Sequence, residues 1–266
     1  MEGNDCYKFS TVRHYIERTG APPIRVAVDI GTNIGEVALL MTSYFPGACV
    51  FAFEAVTELA EIARATIRQH EAPVRVFRRA ITAERAPLEI MRARPDAGAG
   101  WIGGSFVRAA EPGNAAPVRG YDRLAQRVRP LTFDRMVELI LARTGADVID
   151  LVKMDCEGCE HSALGSATSD TLARVRYIVG EYHGIGRFYL VMRDKLFATH
   201  KVSLIGDADL GAFFAERLDG NQDGILRFDK RGMLLARPWL CDIPIDWHLF
   251  NETYVLPDER AVHALP

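Results

Sequence analysis

The chain has 266 residues, 48% of them hydrophobic and 25% charged, with a formal net charge of −3. That length suits one large α/β domain with an extension, and the balance is that of an ordinary globular protein. A duplex-binding protein needs a phosphate-neutralising surplus that the whole chain lacks, so no nucleic-acid partner is expected. No apolar run approaches the roughly 18 residues that span a bilayer, so no membrane partner is expected either. The opening "MEGNDCYKFS" carries acids and has no apolar core, which is not the pattern of a secretory signal. Five cysteines stand at 6, 49, 156, 159 and 241. So odd and sparse a set argues against a disulfide framework and for a reducing cytoplasm.

In chain order, residues 7–19 read as an amphipathic helix, closed by Gly20 and the Pro22-Pro23 pair. "IRVAVDI" is a buried strand and "GEVALLMTSY" a helix that stops near Pro46-Gly47. "ACVFAFE", "TELAEIARATIRQH" and "PVRVFRRAI" continue the run as strand, helix and strand. Alternation of this kind predicts a parallel sheet with helices on both faces, joined by right-handed crossovers. Residues 87–128 break the rhythm with "LEIMRA" and the glycine-rich "DAGAGWIGGSF", which predict an inserted hairpin and a lid loop over about 95–120.

The rhythm resumes with helix "LTFDRMVELILART", strand "VIDLVKMD", short helix "CEHSALGSA" and strand "VRYIVGEYH". Helix "RFYLVMRDKLFATH" and strand "KVSLIG" follow, then a helix over "GAFFAERL" and short strands at "GILRF" and "GMLLARP". "DGNQDG" (Asp219–Gly224) starts like a calcium loop, but its twelfth position is Lys230 instead of Glu, so it reads as a hairpin turn. The expected organisation is an N-terminal helical segment (1–23), a catalytic domain (24–236) and a C-terminal extension (237–266).

In an open parallel sheet, ligands bind beyond the carboxyl ends of the strands. The first strand delivers Asp29 and then Gly31, Asn33 and Gly35 to that edge, and glycines there let a ligand approach the backbone. A dinucleotide site wants G-x-G-x-x-G, whereas Asn33 stands near the place of a middle glycine. Glu54 closes the second strand, where a carboxylate suits the ribose of either NAD or an adenosyl donor. Further on, "DLVKMDCEGCEHSAL" ends the fourth strand and "IVGEYHG" the fifth. D-x-G-x-x-x-G, the acid of strand two, K-x-D-x-E-G-x-E and E-x-H together resemble the FkbM family of S-adenosylmethionine-dependent methyltransferases, over about residues 24–206. In that family Pro often follows the strand-two acid; here Ala55 does.

The resemblance implies a Rossmann-like α/β fold with a mostly parallel seven-stranded sheet, last strand antiparallel, and S-adenosylmethionine as cofactor. It also implies methyl transfer to a hydroxyl of a small molecule, usually a sugar or other natural-product scaffold. Asp29, Gly31, Asn33, Gly35 and Glu54 then bind the cofactor, with Ala80 and Ile81 at the end of strand three against the adenine. Asp155 and His183 are the candidate catalytic residues; Glu157, Glu181 and Ser105 are assigned to the substrate. Glu157 and Glu160 share a face if the helix has begun by then. If a divalent metal takes part, Asp155, Glu181 and His183 are its expected ligands. Cys156-x-x-Cys159 lacks a second pair at zinc spacing and reads as incidental. Competing readings are an NAD(P)-dependent oxidoreductase and a non-catalytic nucleotide-binding protein of the same fold. The expected location is the cytoplasm; the oligomeric state stays open, a homodimer included.

Overall fold

In the computed structural model the described residues are 9–83, 88–93, 106–109, 121–206 and 210–218. The chain divides into two units, Met1–Gly224 and Ile225–Pro266, and every described residue belongs to the first. Ser105, the Asp219–Gly224 turn, the strands expected at "GILRF" and "GMLLARP", the extension over 237–266 and most of the expected lid lie outside the described residues.

Helix α1 (Phe9–Thr19) precedes strand β1 (Val26–Ile30), helix α2 (Glu36–Tyr44), β2 (Cys49–Glu54), α3 (Thr57–Gln69) and β3 (Val74–Arg78). A two-residue strand β4 (Ala80–Ile81) and strands β5 (Leu88–Ala93), β6 (Phe106–Ala109), β7 (Tyr121–Val128) and β8 (Pro130–Leu131) come next. Then follow α4 (Phe133–Thr144), β9 (Ile149–Met154), α5 (Cys159–Ser166), α6 (Ser169–Leu172), β10 (Val175–His183), α7 (Ile185–Asp194), β11 (His200–Gly206) and β12 (Leu210–Arg217). The main sheet has seven strands in the order β11-β12-β10-β9-β1-β2-β3. β12 runs antiparallel to both neighbours and the other pairings are parallel. This is the sheet the resemblance implies.

Strands buried on both faces read as continuous apolar runs, and a hydrophobic cluster lies on each face of this sheet. Val28, Phe51, Val152 and Ile178 face one cluster with α4; Ala27, Ala52, Leu151 and Val179 face the other with α1 and α2. Thr132 caps α4, its hydroxyl accepting from the Arg135 N–H, and Gly145 ends that helix in the left-handed conformation. No helix among the described residues is long and apolar enough to cross a membrane.

Three expectations are corrected. "GAFFAERL" is not a helix but most of β12. Phe213 and Phe214 point to opposite faces of the sheet, so the run lacks the apolar–polar alternation that tells strand from helix. Ala80 and Ile81 do not end strand three: β3 stops at Arg78, and the two residues pair instead with Pro130 and Leu131. The insert is more than a hairpin. β5 takes β6 on one side and β7 on the other, and Leu88, Ile90 and Val128 join a third cluster with Val56, Leu59 and Ala80.

Candidate functional site

Strand period and register assemble the site. Side chains two apart share a face. Asp29 therefore falls with Ala27, Glu54 with Ala52, Lys153 with Leu151, and Glu181 and His183 with Val179, all one face of the sheet. Register then sets the height. Ile30 lies opposite Phe53 and Met154, and Met154 opposite Gly180, so Glu54, Asp155 and Glu181 leave the sheet together at its carboxyl edge.

The turn after β1 is built by positive φ. Gly31 (φ 78), Asn33 (φ 53) and Gly35 (φ 92) bend the chain, and the Gly31 and Thr32 N–H groups both donate to the Phe53 carbonyl at 3.0 and 3.1 Å. A Cβ at Gly31 would collide with the Asp155 carbonyl oxygen, so this position has no room for a side chain. Glu54 is 8% exposed. Its two oxygens accept the Asn33 and Val56 N–H groups, each at 2.9 Å. Burial raises its carboxyl above the ordinary value, while those backbone donors pull it down.

Asp29 is fully buried, and its partner is one the sequence reading did not assign. Lys153, also fully buried, reaches Asp29 Oδ1 at 3.1 Å, donates to the Gly31 carbonyl at 3.2 Å and lies 3.9 Å from Asp155 Oδ2. One ammonium thus ties the cofactor turn to the acid beyond β9. The signal was in "DLVKMD": a lysine inside an apolar strand is stable only beside buried acceptors.

Beyond β9 the chain turns through Glu157 (φ 56) and Gly158 (φ 97) before α5 starts at Cys159. Glu157 and Glu160 therefore do not share a helical face as expected, because the helix begins after Glu157. They meet all the same, on opposite sides of His183. Glu157 Oε2 lies 3.3 Å from Nε2 and Glu160 Oε1 2.7 Å from Nδ1. Glu160 is fully buried and also accepts the His183 and Gly158 N–H groups, each at 3.1 Å. The hydrogen bonds to Glu157 and Glu160 push the imidazole pKa up to about 10, against a smaller opposing effect of burial. Held between two carboxylates, the imidazole favours its protonated form at neutral pH. Burial, then the negative charge of Asp155, raises the Glu181 carboxyl.

Cys156 and Cys159, incidental on sequence grounds, are joined in a disulfide, which corrects that reading. The two left-handed residues between them bring their Cα atoms to 5.4 Å. Asp155, Glu181 and His183 each offer a ligand atom within 4.8 Å of the others. Ala80 and Ile81 are buried at 5% and 2%, in the core around Leu59 and Phe133.

The turn fits the adenosyl cofactor expected of it. Thr32 is 1% exposed, and its Oγ1 has no hydrogen-bond partner among the described residues. Buried carboxylates stand at Asp29 and Glu54, suited to an ammonium and to ribose hydroxyls.

One relative is the AMB antimetabolite synthetase AmbE of Pseudomonas aeruginosa, 27% identical over 184 residues, covering 61% of this chain and 8% of that protein. The chain thus spans a small part of the length of that relative. Among solved structures, the N-terminal domain of human METTL16 in complex with SAH superposes with a TM-score of 0.45 at 12% identity, over 82% of this chain and 73% of that one. A SAM dependent methyltransferase from Aquifex aeolicus gives 0.42 at 11% identity, over 80% and 91%. Residues 29–201, well over half of the sequence, match the family described as Methyltransferase FkbM domain. The chain belongs to the FkbM family of S-adenosylmethionine-dependent methyltransferases.

Proposed function

We propose that this chain methylates a hydroxyl of a small molecule, a sugar or other natural-product scaffold. The convergence of Asp155, Glu181 and His183 beside the cofactor turn carries the reading. The name of the Pseudomonas relative, an antimetabolite synthetase, supports a natural-product acceptor. S-adenosylmethionine, when bound, supplies an electrophilic methyl group. Asp29, Glu54 and the Gly31–Gly35 backbone bind and orient the cofactor, with Lys153 holding Asp29 in place through its ammonium at 3.1 Å. Asp155, Glu157 and Glu181 hold the acceptor, and Asp155 takes its proton. His183 is already protonated at neutral pH and fixes Glu157 and Glu160 in place. Alignment supplies roughly 7–11 kcal/mol in such reactions and a single base about 10²–10⁴-fold, so positioning dominates.

A second reading has its own observation. Glu160 holds His183 by Nδ1, which is how a carboxylate orients a metal-binding imidazole, and an ion at Nε2 would take the place of Glu157, 3.3 Å away. A divalent cation held by Asp155, Glu181 and His183 would lower the pKa of an acceptor hydroxyl. The deciding experiment follows methyl-labelled S-adenosylmethionine into a panel of hydroxylated scaffolds, with and without chelator. Asp155→Asn should cut turnover by about 10²–10⁴-fold with S-adenosylhomocysteine affinity unchanged. Loss with chelator and recovery with magnesium or manganese selects the metal reading. Full activity of the Asp155→Asn variant, or label arriving on nitrogen or carbon, overturns the assignment.

A further inference from the structure

The disulfide lies inside the segment that builds the acidic site. Cys156 and Cys159 bracket Glu157 and Gly158, the two left-handed residues that aim Glu157 at His183. Cys156 Sγ lies 3.7 Å from Glu160 Oε2, the oxygen that also accepts the Gly158 N–H. The other Glu160 oxygen holds the His183 backbone N–H and its ring. Both cysteines are only partly buried. Cys49 is a free cysteine at the start of β2, the amino edge of the sheet, and cannot serve as a resolving thiol at the carboxyl edge.

We propose that Cys156 and Cys159 are a redox-active dithiol that exchanges with small thiols and disulfides, and that its oxidation state sets how firmly Glu160 holds His183. Cys159 is the first residue of α5, whose N-terminus favours a thiolate, whereas Cys156 faces the Glu160 carboxylate. Oxidation begins when the Cys159 thiolate attacks one sulfur of an external disulfide, RSSR. The external S–S bond breaks, one RS⁻ leaves and a mixed disulfide forms. The Cys156 thiolate then attacks the Cys159 sulfur and expels the second RS⁻. The protein loses two electrons and two protons, and RSSR becomes two RSH; a dithiol reductant reverses the sequence. Closing the ring holds Glu157 in the left-handed region, which a non-glycine residue otherwise leaves readily. Opening it frees the turn and gives Cys156 an S–H that competes with Gly158 for Glu160 Oε2. The start of the segment is anchored either way, because the Asp155 N–H donates to the Ile30 carbonyl at 3.1 Å and Gly31 packs on the Asp155 carbonyl. Cofactor affinity should therefore not depend on the pair. The exchange chemistry stands apart from the proposed hydroxyl methylation; only its consequence for rate rests on that reading.

The test uses the whole chain equilibrated in glutathione redox buffers and then alkylated for mass measurement. Amide hydrogen exchange at Gly158 and His183, and S-adenosylhomocysteine affinity by calorimetry, are read in both states. Expected are a single two-electron transition confined to residues 156 and 159, tenfold or greater acceleration of the Gly158 and His183 amides on reduction, and unchanged affinity. Cys156→Ser and Cys159→Ser should resemble the reduced protein in either buffer. Equal exchange in the two states overturns the proposal, as does failure to form the disulfide in oxidised glutathione. Retention of one zinc ion by the reduced protein overturns it in favour of a metal site. Absence of S-adenosylhomocysteine binding in both states counts against the function proposed above and leaves the exchange result intact.

Discussion

His183 shows how neighbours decide what a side chain can do. Its position at the end of β10 suits a general base, yet two carboxylates grip its two ring nitrogens. NMR of the imidazole should find it protonated at pH 7.5 and titrating near 10; a midpoint near 6.5 would remove the clamp. Glu54 is the second residue whose surroundings define it. Its carboxylate stitches the β1 turn to the start of α3 through the Asn33 and Val56 amides. Glu54→Ala should weaken S-adenosylhomocysteine binding by tenfold or more, since hydrogen bonds to a charged group are worth about 1.5–3 kcal/mol. Unchanged affinity by calorimetry would take Glu54 out of the site.

Among the elements, the turn between β1 and α2 and the turn between β9 and α5 behave as one unit. Gly31 packs on the Asp155 carbonyl, the Asp155 N–H bonds to Ile30, and Lys153 joins Asp29, Gly31 and Asp155. A methyl group at Gly31 must push the two turns apart while also paying about 1–2 kcal/mol for its positive φ. Gly31→Ala should therefore lower the denaturation midpoint and abolish cofactor binding together. Gly47→Ala is the control: its φ is also positive, but a Cβ there meets open space, so it should cost stability without affecting the ligand. Normal cofactor binding in Gly31→Ala would show that the turns are not coupled.

For the molecule as a whole, two histidines shape stability against pH with opposite signs. His200 is buried beside the Val175 carbonyl, and loss of hydration lowers its pKa to about 4. The unfolded chain takes up that proton first as pH falls, so the contribution of His200 is complete above about 6.5 and is lost toward 4, by at most about 3 kcal/mol. His183, raised to about 10, contributes fully below about 6.5 and loses its contribution as pH rises through 10. Urea midpoints should crest between these limits, near neutral pH. His200→Asn should flatten the acid limb and His183→Gln the alkaline one. An unaltered profile in either variant would dismiss the corresponding histidine.

Much of this was legible in the residues themselves. Apolar runs bounded by Gly and Pro gave β1, β2, β9 and β10 their places, strand ends put Asp29, Glu54 and Asp155 at the carboxyl edge, and period two put Glu181 and His183 on one face. Spacing along the chain is local, and backbone geometry converts it to direction. Partnership is not local. That Lys153 serves Asp29, that Glu157 and Glu160 approach His183 from opposite sides, and that Cys156 meets Cys159 depend on register between distant strands and on two left-handed residues. For the same reason "GAFFAERL" became a strand: with adjacent Phe213 and Phe214 it has no clear period of its own, and the slot between β10 and β11 chose its conformation. Sequence determined which chemical groups reach the carboxyl edge of the sheet; packing there determined their charge and their partners, because both depend on atoms far away in the chain and close in space.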